Sequence, residues 1–184
     1  MELLKKTYYD PKTGFVSAQK LYQRLKPKYT LQQITAWLKT QEVSQVHKDV
    51  RRPRESLKIV ADPGSWQMDL TFYSQYSGSN NGYGVILTAV EIASRKAWAM
   101  ALLNKSALSM VKAFVEFLKK HKCTVLTTDN GSEFMNQYVQ KLLREKGIVH
   151  HTNQPEDHHT MAIVERFNKT LRGILERIFT AYGN

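Results

Sequence analysis

Apolar residues recur along this chain in two rhythms, and the change from one to the other divides it. In residues 1–47 the spacing is helical. After a turn at Asp10-Pro11 and Gly14, Ser17 can cap a helix whose apolar positions are Ala18, Leu21, Tyr22 and Leu25, and Pro27 stops it. Thr30-Leu31-Gln32-Gln33 reads as a capping box, and Leu31, Ile34, Trp37 and Leu38 give a second helix one apolar stripe. Two short helices joined by Lys26-Pro27-Lys28-Tyr29 predict a small all-α domain of helix-turn-helix type docked on DNA, or a plain helical hairpin packed on the core. Trp37 and Tyr22 read as core residues rather than base-stacking platforms. From Val46 to Gly64 the periodicity fades, and Lys48, Arg51, Arg52, Arg54 and Lys58 alternate with Pro53 and Pro63, so residues 48–63 read as a basic linker.

Beyond Gly64 the rhythm changes. Trp66–Ser74 reads as a strand, followed by a loop rich in Gly and Asn, and Tyr83–Ile92 and Lys96–Leu103 as a second and third strand joined by a turn near Ser94-Arg95. Ser106 caps a helix through Lys120, with Leu108, Val111, Phe114, Val115 and Leu118 on its apolar side. Thr124–Thr128 is a short buried strand, Ser132–Lys146 a helix closed by Gly147, Ile148–His151 a last strand, and Met161–Tyr182 a final helix. Three strands, helix, strand, helix, strand, helix imply an α/β domain over 64–184, a mixed five-stranded sheet flanked by helices of ribonuclease H-like order.

Charge sharpens the picture. The net charge is +11, which points to a polyanionic partner. Residues 1–60 carry thirteen Lys and Arg against five Asp and Glu, so most of the excess lies in the first third. Extended basic linkers of this kind are either simply solvated or track a phosphate backbone by releasing counterions. One cysteine, Cys123, excludes an intrachain disulfide and any finger of several cysteines, as expected in a reducing intracellular compartment. The start lacks a signal peptide's apolar segment, and no apolar run approaches the roughly 20 residues that span a bilayer. These features imply a soluble protein with no membrane partner.

Candidate chemistry comes from three acids far apart in sequence: Asp69 in Trp66-Gln67-Met68-Asp69, Asp129 in Thr127-Thr128-Asp129-Asn130-Gly131-Ser132-Glu133-Phe134, and Glu165 in Val164-Glu165-Arg166-Phe167-Asn168-Lys169. Two of them lie in or at the end of apolar strand-like runs, where a bare carboxylate is costly unless paired or bound to a cation. Any one alone would read as an N-cap or a surface ion pair; together they read as one metal site. Hard oxygen ligands suit Mg²⁺ or Mn²⁺, and two such ions can serve an in-line phosphoryl displacement. His150, His151, His158 and His159 precede Glu165, but no cysteine lies near them and their spacing suits no tetrahedral site, so no zinc is expected and they read as lining a mobile flap. Glu133, Glu156 and Asp157 read as solvent or helix N-terminal acids.

These segments, with the 35 residues that separate Asp129 from Glu165, resemble the catalytic core of the retroviral integrases and their transposase relatives over most of residues 64–180. The resemblance implies that Asp69, Asp129 and Glu165 are catalytic metal ligands, that Ser132 contacts target DNA, and that Lys169 and Arg172, with Asn168 beside them, contact the viral DNA end; Lys39, Arg51, Arg52 and Arg54 complete the candidate DNA-binding set. The cysteine-free, basic N-terminal region and the His158-to-Glu165 segment look most like integrases of Maverick/Polinton elements and virophages. The implied activity is 3′-end processing and strand transfer on double-stranded DNA by a homodimer or higher homo-oligomer, in the host nucleus or associated with a virion. A cut-and-paste transposase or nuclease of the same fold, and a domesticated DNA-binding protein without the chemistry, are the competing readings. Two departures from the family stand out: the zinc-binding histidine and cysteine pairs are not supplied, and Ala162 stands where Gly is common three residues before the catalytic Glu. The sequence ends soon after the catalytic helix, as a fragment without a C-terminal DNA-binding module would.

Overall fold

The computed structural model describes residues 1–12, 14–47, 59–153 and 160–182. They fall into two compact units, Met1–Glu55 with Thr170–Asn184, and Ser56–Lys169.

The first unit is helical: α1 (Glu2–Tyr8), α2 (Ala18–Leu25), α3 (Leu31–Leu38) and α4 (Glu42–Val46). Ser17 accepts from the Lys20 amide to cap α2, and α3 carries the full box, with the Gln33 amide donating to Thr30 Oγ1 at 3.2 Å and the Thr30 amide to Gln33 Oε1 at 2.9 Å. Leu4, Tyr8, Leu21, Leu25, Ile34, Trp37 and Val43 form its core, and Tyr8 meets Trp37 edge to face at 5.5 Å. α1 and α4 go beyond the two helices expected. At seven and five residues they carry too few turns to show a period, and tertiary contacts through Leu4, Tyr8 and Val43 hold them. Ile178 and Ala181 of the last helix pack against the same core, and Arg177 donates to the His47 carbonyl. The final turns therefore group with this unit, where the sequence reading kept all of 64–184 together.

The second unit holds β1 (Ser65–Phe72), β2 (Val85–Glu91), β3 (Ala97–Leu102), β4 (Val125–Thr128) and β5 (Val149–Thr152), with α5 (Ala107–Lys120), α6 (Ser132–Met135), α7 (Gln137–Glu145) and the start of α8 (Ala162–Tyr182). One mixed sheet runs β3-β2-β1-β4-β5, antiparallel through β1, β2 and β3 and parallel from β1 through β4 to β5. β1 is central and covered on both faces. Trp66, Met68 and Leu70 enter the main core with Phe114, Phe117 and Leu126, while Gln67 and Thr71, on the alternate face, are also buried.

Two helices differ from expectation. α5 buries Met110, Ala113, Phe114 and Phe117, leaving Leu108 and Val115 exposed. Of the expected stripe, Phe114 is buried and Val111 and Leu118 pack against the core, while Phe117, outside that stripe, packs edge to face on Trp66 at 4.9 Å. The single helix expected over 132–146 breaks at Asn136, whose extended backbone ends α6 and whose Oδ1 accepts from the amides of Tyr138 and Val139 to start α7.

Candidate active site

The site begins where β1 leaves β4. Their parallel register pairs Gln67 with Thr127 and stops there, so two residues further on Asp69, still within β1, and Asp129, just past the end of β4, flank the mouth of the gap. β1 continues against β2 alone, with Asp69 opposite Thr88.

Asp69 is held from two sides. Its Oδ1 accepts from the Leu70 amide at 2.8 Å and its Oδ2 from Asn168 Nδ2 at 2.7 Å. The Asn168 carbonyl oxygen in turn accepts from Thr88 Oγ1 at 2.7 Å, so one α8 amide ties β1 to β2. Burial pushes the Asp69 carboxyl up to about 6, with the Asp129 charge and then the Glu165 charge adding to the rise, and the two hydrogen bonds only partly opposing it.

Asp129 is exposed, and its Oδ1 accepts from the Gly131 amide at 3.2 Å. A Cβ on Gly131 would lie 3.0 Å from that oxygen and 3.0 Å from Glu133 Cδ, so a larger residue here would push both carboxylate side chains aside. Behind Asp129 a relay fixes the backbone: Gln140 Nε2 lies 2.8 Å from His150 Nδ1, His150 Nε2 lies 2.9 Å from Thr128 Oγ1, and Thr128 Oγ1 donates to the Asp129 carbonyl at 2.7 Å. With the amide and hydroxyl as end donors, the ring carries its proton on Nε2. Burial, then the His151 charge, holds the His150 pKa below its ordinary value. His150 and His151 thus belong to β5 rather than to a flap; His158 and His159 lie outside the described residues, as do Glu156, Asp157, Arg51, Arg52 and Arg54.

Glu165 lies exposed in the first turns of α8. Lys169, Arg172, Ser132 and Lys39 are exposed as well, and neither Lys169 nor Arg172 makes an ion pair among the described residues. Asn168, expected at DNA, instead spends its amide on Asp69 and Thr88. Ser132 Oγ donates to Glu133, which stands in the first turn of α6 as a helix N-terminal acid, its side chain 9% exposed and paired with Lys105 Nζ at 3.4 Å. The residues that sequence reasoning passed over are Gln67, Thr88, Gln140 and, in its structural role, His150. Polar side chains inside apolar strand runs were the available signal, since burying one demands a partner.

The three acids fit a hard divalent cation by donor chemistry: none is paired with Lys or Arg among the described residues, and the most buried of them is raised mainly by burial and further by the charges of the other two. Their side chains are not drawn into one tight cluster, since no three Asp, Glu, His or Cys groups among the described residues converge to metal-holding distance. The three stand as a half-buried Asp69 and the exposed carboxylates of Asp129 and Glu165.

Residues 60–158, more than half of the chain, match the integrase core domain, and the chain belongs to that family. It is 30% identical over 109 residues to a transposon-derived protein of Caenorhabditis elegans, across 58% of this chain and 37% of that one. It is 32% identical over 114 residues to the Pol polyprotein of equine infectious anemia virus (isolate 1369), across 62% of this chain and 9% of the polyprotein. The chain thus spans well under two thirds of either relative. The catalytic core domain of BIV integrase shares the fold, with a TM-score of 0.50 at 21% identity over 65% of this chain and 83% of that domain. The mixed sheet is accordingly that of the retroviral-type catalytic core. No helix among the described residues is long and apolar enough to cross a membrane.

Proposed function

We propose that the protein is a DNA integrase, which trims the 3′ ends of its element's DNA and joins the new 3′ hydroxyls to target DNA. The observation that carries this reading is the register that stands Asp69 beside Asp129 at the gap between β1 and β4, with the Glu165 charge felt at Asp69. Asp69, Asp129 and Glu165 would hold Mg²⁺ or Mn²⁺, two per site in the reading from resemblance; when bound, such ions stabilise the charge that develops on the entering and leaving oxygens of a phosphoryl displacement. The chain's own residues supply the rest. Asn168 and Thr88 orient the Asp69 carboxylate, and the Gln140–His150–Thr128 relay fixes the backbone that carries Asp129. Exposed Lys169 and Arg172, one turn and two turns beyond Glu165, offer unpaired cations to the phosphates that lead to the reacting bond. Ser132 stands next to Gly131 for contact with target DNA, and the basic 1–60 region adds sequence-independent attraction.

The test is incubation with element-end oligonucleotides and Mn²⁺, followed by sequencing of products. Joined products with staggered target cuts support integration. Clean excision of both strands would favour the second reading, a cut-and-paste transposase, towards which the transposon-derived relative leans. No cleavage by a folded protein that still binds DNA would identify a non-catalytic descendant.

A further inference from the structure

Gln67 stands two residues before Asp69 on β1, so both side chains leave the strand on the face that meets the start of α8. It is 1% exposed, and among the described residues its side chain bonds to the start of α8 and the residue just before it. Its Oε1 accepts from the amides of Ile163 and Val164, both at 3.0 Å, and its Nε2 donates to the Thr160 carbonyl. The first four amides of a helix have no intrahelical acceptor and are ordinarily capped by a residue just before them. Here two of the four are capped from a strand 96 and 97 positions away in sequence.

We infer that Gln67 is a positioning residue for Glu165, a distal cap that fixes the height and rotation of the first turns of α8. Two attachments bracket Glu165: Gln67 on Ile163 and Val164 below it, and Asp69 on Asn168 about one turn above. They differ in kind. The upper attachment uses a carboxylate that the proposed cations also recruit, so its strength changes when the site is loaded. The lower one uses a neutral amide with no ligand role, and it sets the reach of Glu165 in the unloaded and loaded site alike. This rests on the reading of Glu165 as a ligand. Were Gln67 only filling a polar gap in the core, its loss would change stability and leave cation binding alone.

The experiment uses the full chain, free of metal, with two readouts: amide hydrogen exchange at Ile163 and Val164, and Mn²⁺ binding followed by electron paramagnetic resonance. Gln67→Met keeps the shape and removes every hydrogen bond; both amides should exchange about 10-fold faster, and Mn²⁺ should bind about 10-fold more weakly. Gln67→Glu keeps the acceptor for both amides and should retain their protection; this variant is read by exchange alone, because its added charge affects binding. Wild-type exchange in Gln67→Met, or faster exchange with unchanged Mn²⁺ affinity, overturns the proposal. Should Gln67→Met fail to fold, the exchange of Gln67→Glu decides: retained protection supports the distal cap, and lost protection overturns it. Asp129→Asn separates the two layers of argument, since wild-type Mn²⁺ binding by that variant would mean that the ligand reading itself had failed.

Discussion

Asp69 and Asp129 are the same residue on adjacent parallel strands, two positions past the same register pair, yet they occupy opposite environments. Asp69 is half-buried, takes two hydrogen bonds and is pushed up to about 6, mainly by burial. Asp129 is exposed, with the Gly131 amide donating to its carboxylate and a relay of three side chains behind its backbone. The difference teaches that the site is not symmetric. The β1 side keeps a carboxylate that works against the fold, whereas the β4 side places rigidity in the backbone and leaves the carboxylate in solvent. An unfavourable group retained at a strand edge is what a functional requirement for negative charge leaves behind.

The largest effect should be on activity, and there the two residues should not differ. Asp69→Asn, Asp129→Asn and Glu165→Gln should each lower cleavage and joining by at least about 100-fold, as loss of a charge-stabilising group does. Near wild-type turnover in Mg²⁺ by any of them would remove that residue from the ligand set.

Stability should then separate the pair. A carboxyl raised from 3.8 to about 6 contributes stability that is complete below pH 4 and lost as pH rises through 6, so at pH 7 the metal-free fold bears the cost of ionised Asp69. Asp69→Asn should raise stability at pH 7 by about 1–3 kcal/mol, and the gain should vanish near pH 4. Asp129→Asn should stay within about 0.5 kcal/mol, as exposed substitutions do. Urea denaturation at the two pH values checks both, and equal shifts for the two variants would break the comparison.

The β4 side has its own titration, of opposite sign. Because the folded pKa of His150 is lowered, the relay contributes stability above the ordinary value of 6.5 that is lost as pH falls below it. His150→Phe should cost about 1–2 kcal/mol at pH 7 and flatten the acid limb of the stability profile, whereas Asp69→Asn should leave that limb and remove the opposing rise. Double-mutant profiles that are not the sum of the two would show that the strand ends are coupled.

Lys169→Glu and Arg172→Glu should likewise change stability little, by less than about 1 kcal/mol, while losing end-specific DNA binding in a filter or anisotropy assay. Unfolding would return these side chains to the protein; normal joining would return them to solvent.

Much of this was legible beforehand, for identifiable reasons. Ser17, the Thr30–Gln33 box and Ser106 fixed three helix starts because capping is local chemistry, and the strands around Asp69 and Asp129 were visible as bounded apolar runs. The face of α5 was legible only in part, since apolar residues lie on more than one side of that helix and the place of Phe117 depends on distant partners such as Trp66 and Trp98. Asn136 was hidden inside a pattern that reads as one helix. Within the site the acids could be named, but the split into half-buried Asp69 and exposed Asp129 depends on what covers β1, which is a tertiary fact. The partners Asn168, Gln67 and His150 act over 99, 96 and 22 positions, beyond any local pattern.

The connectivity of the sheet also fixes an order in time. β1, β2 and β3 follow one another through short connections, whereas β1 meets β4 across 60 residues, from Ser65 to Val125, and Asp69 meets Asn168 across 99. Contacts that close long loops bear the larger entropy cost and form late. During synthesis Asp69 therefore emerges and pairs with β2 long before Asp129 stands beside it, and the helix that carries Glu165 arrives last of all. A chain interrupted or unfolded before α8 docks holds Glu165 apart from Asp69 and Asp129, so the proposed cleavage of DNA would require that helix in place.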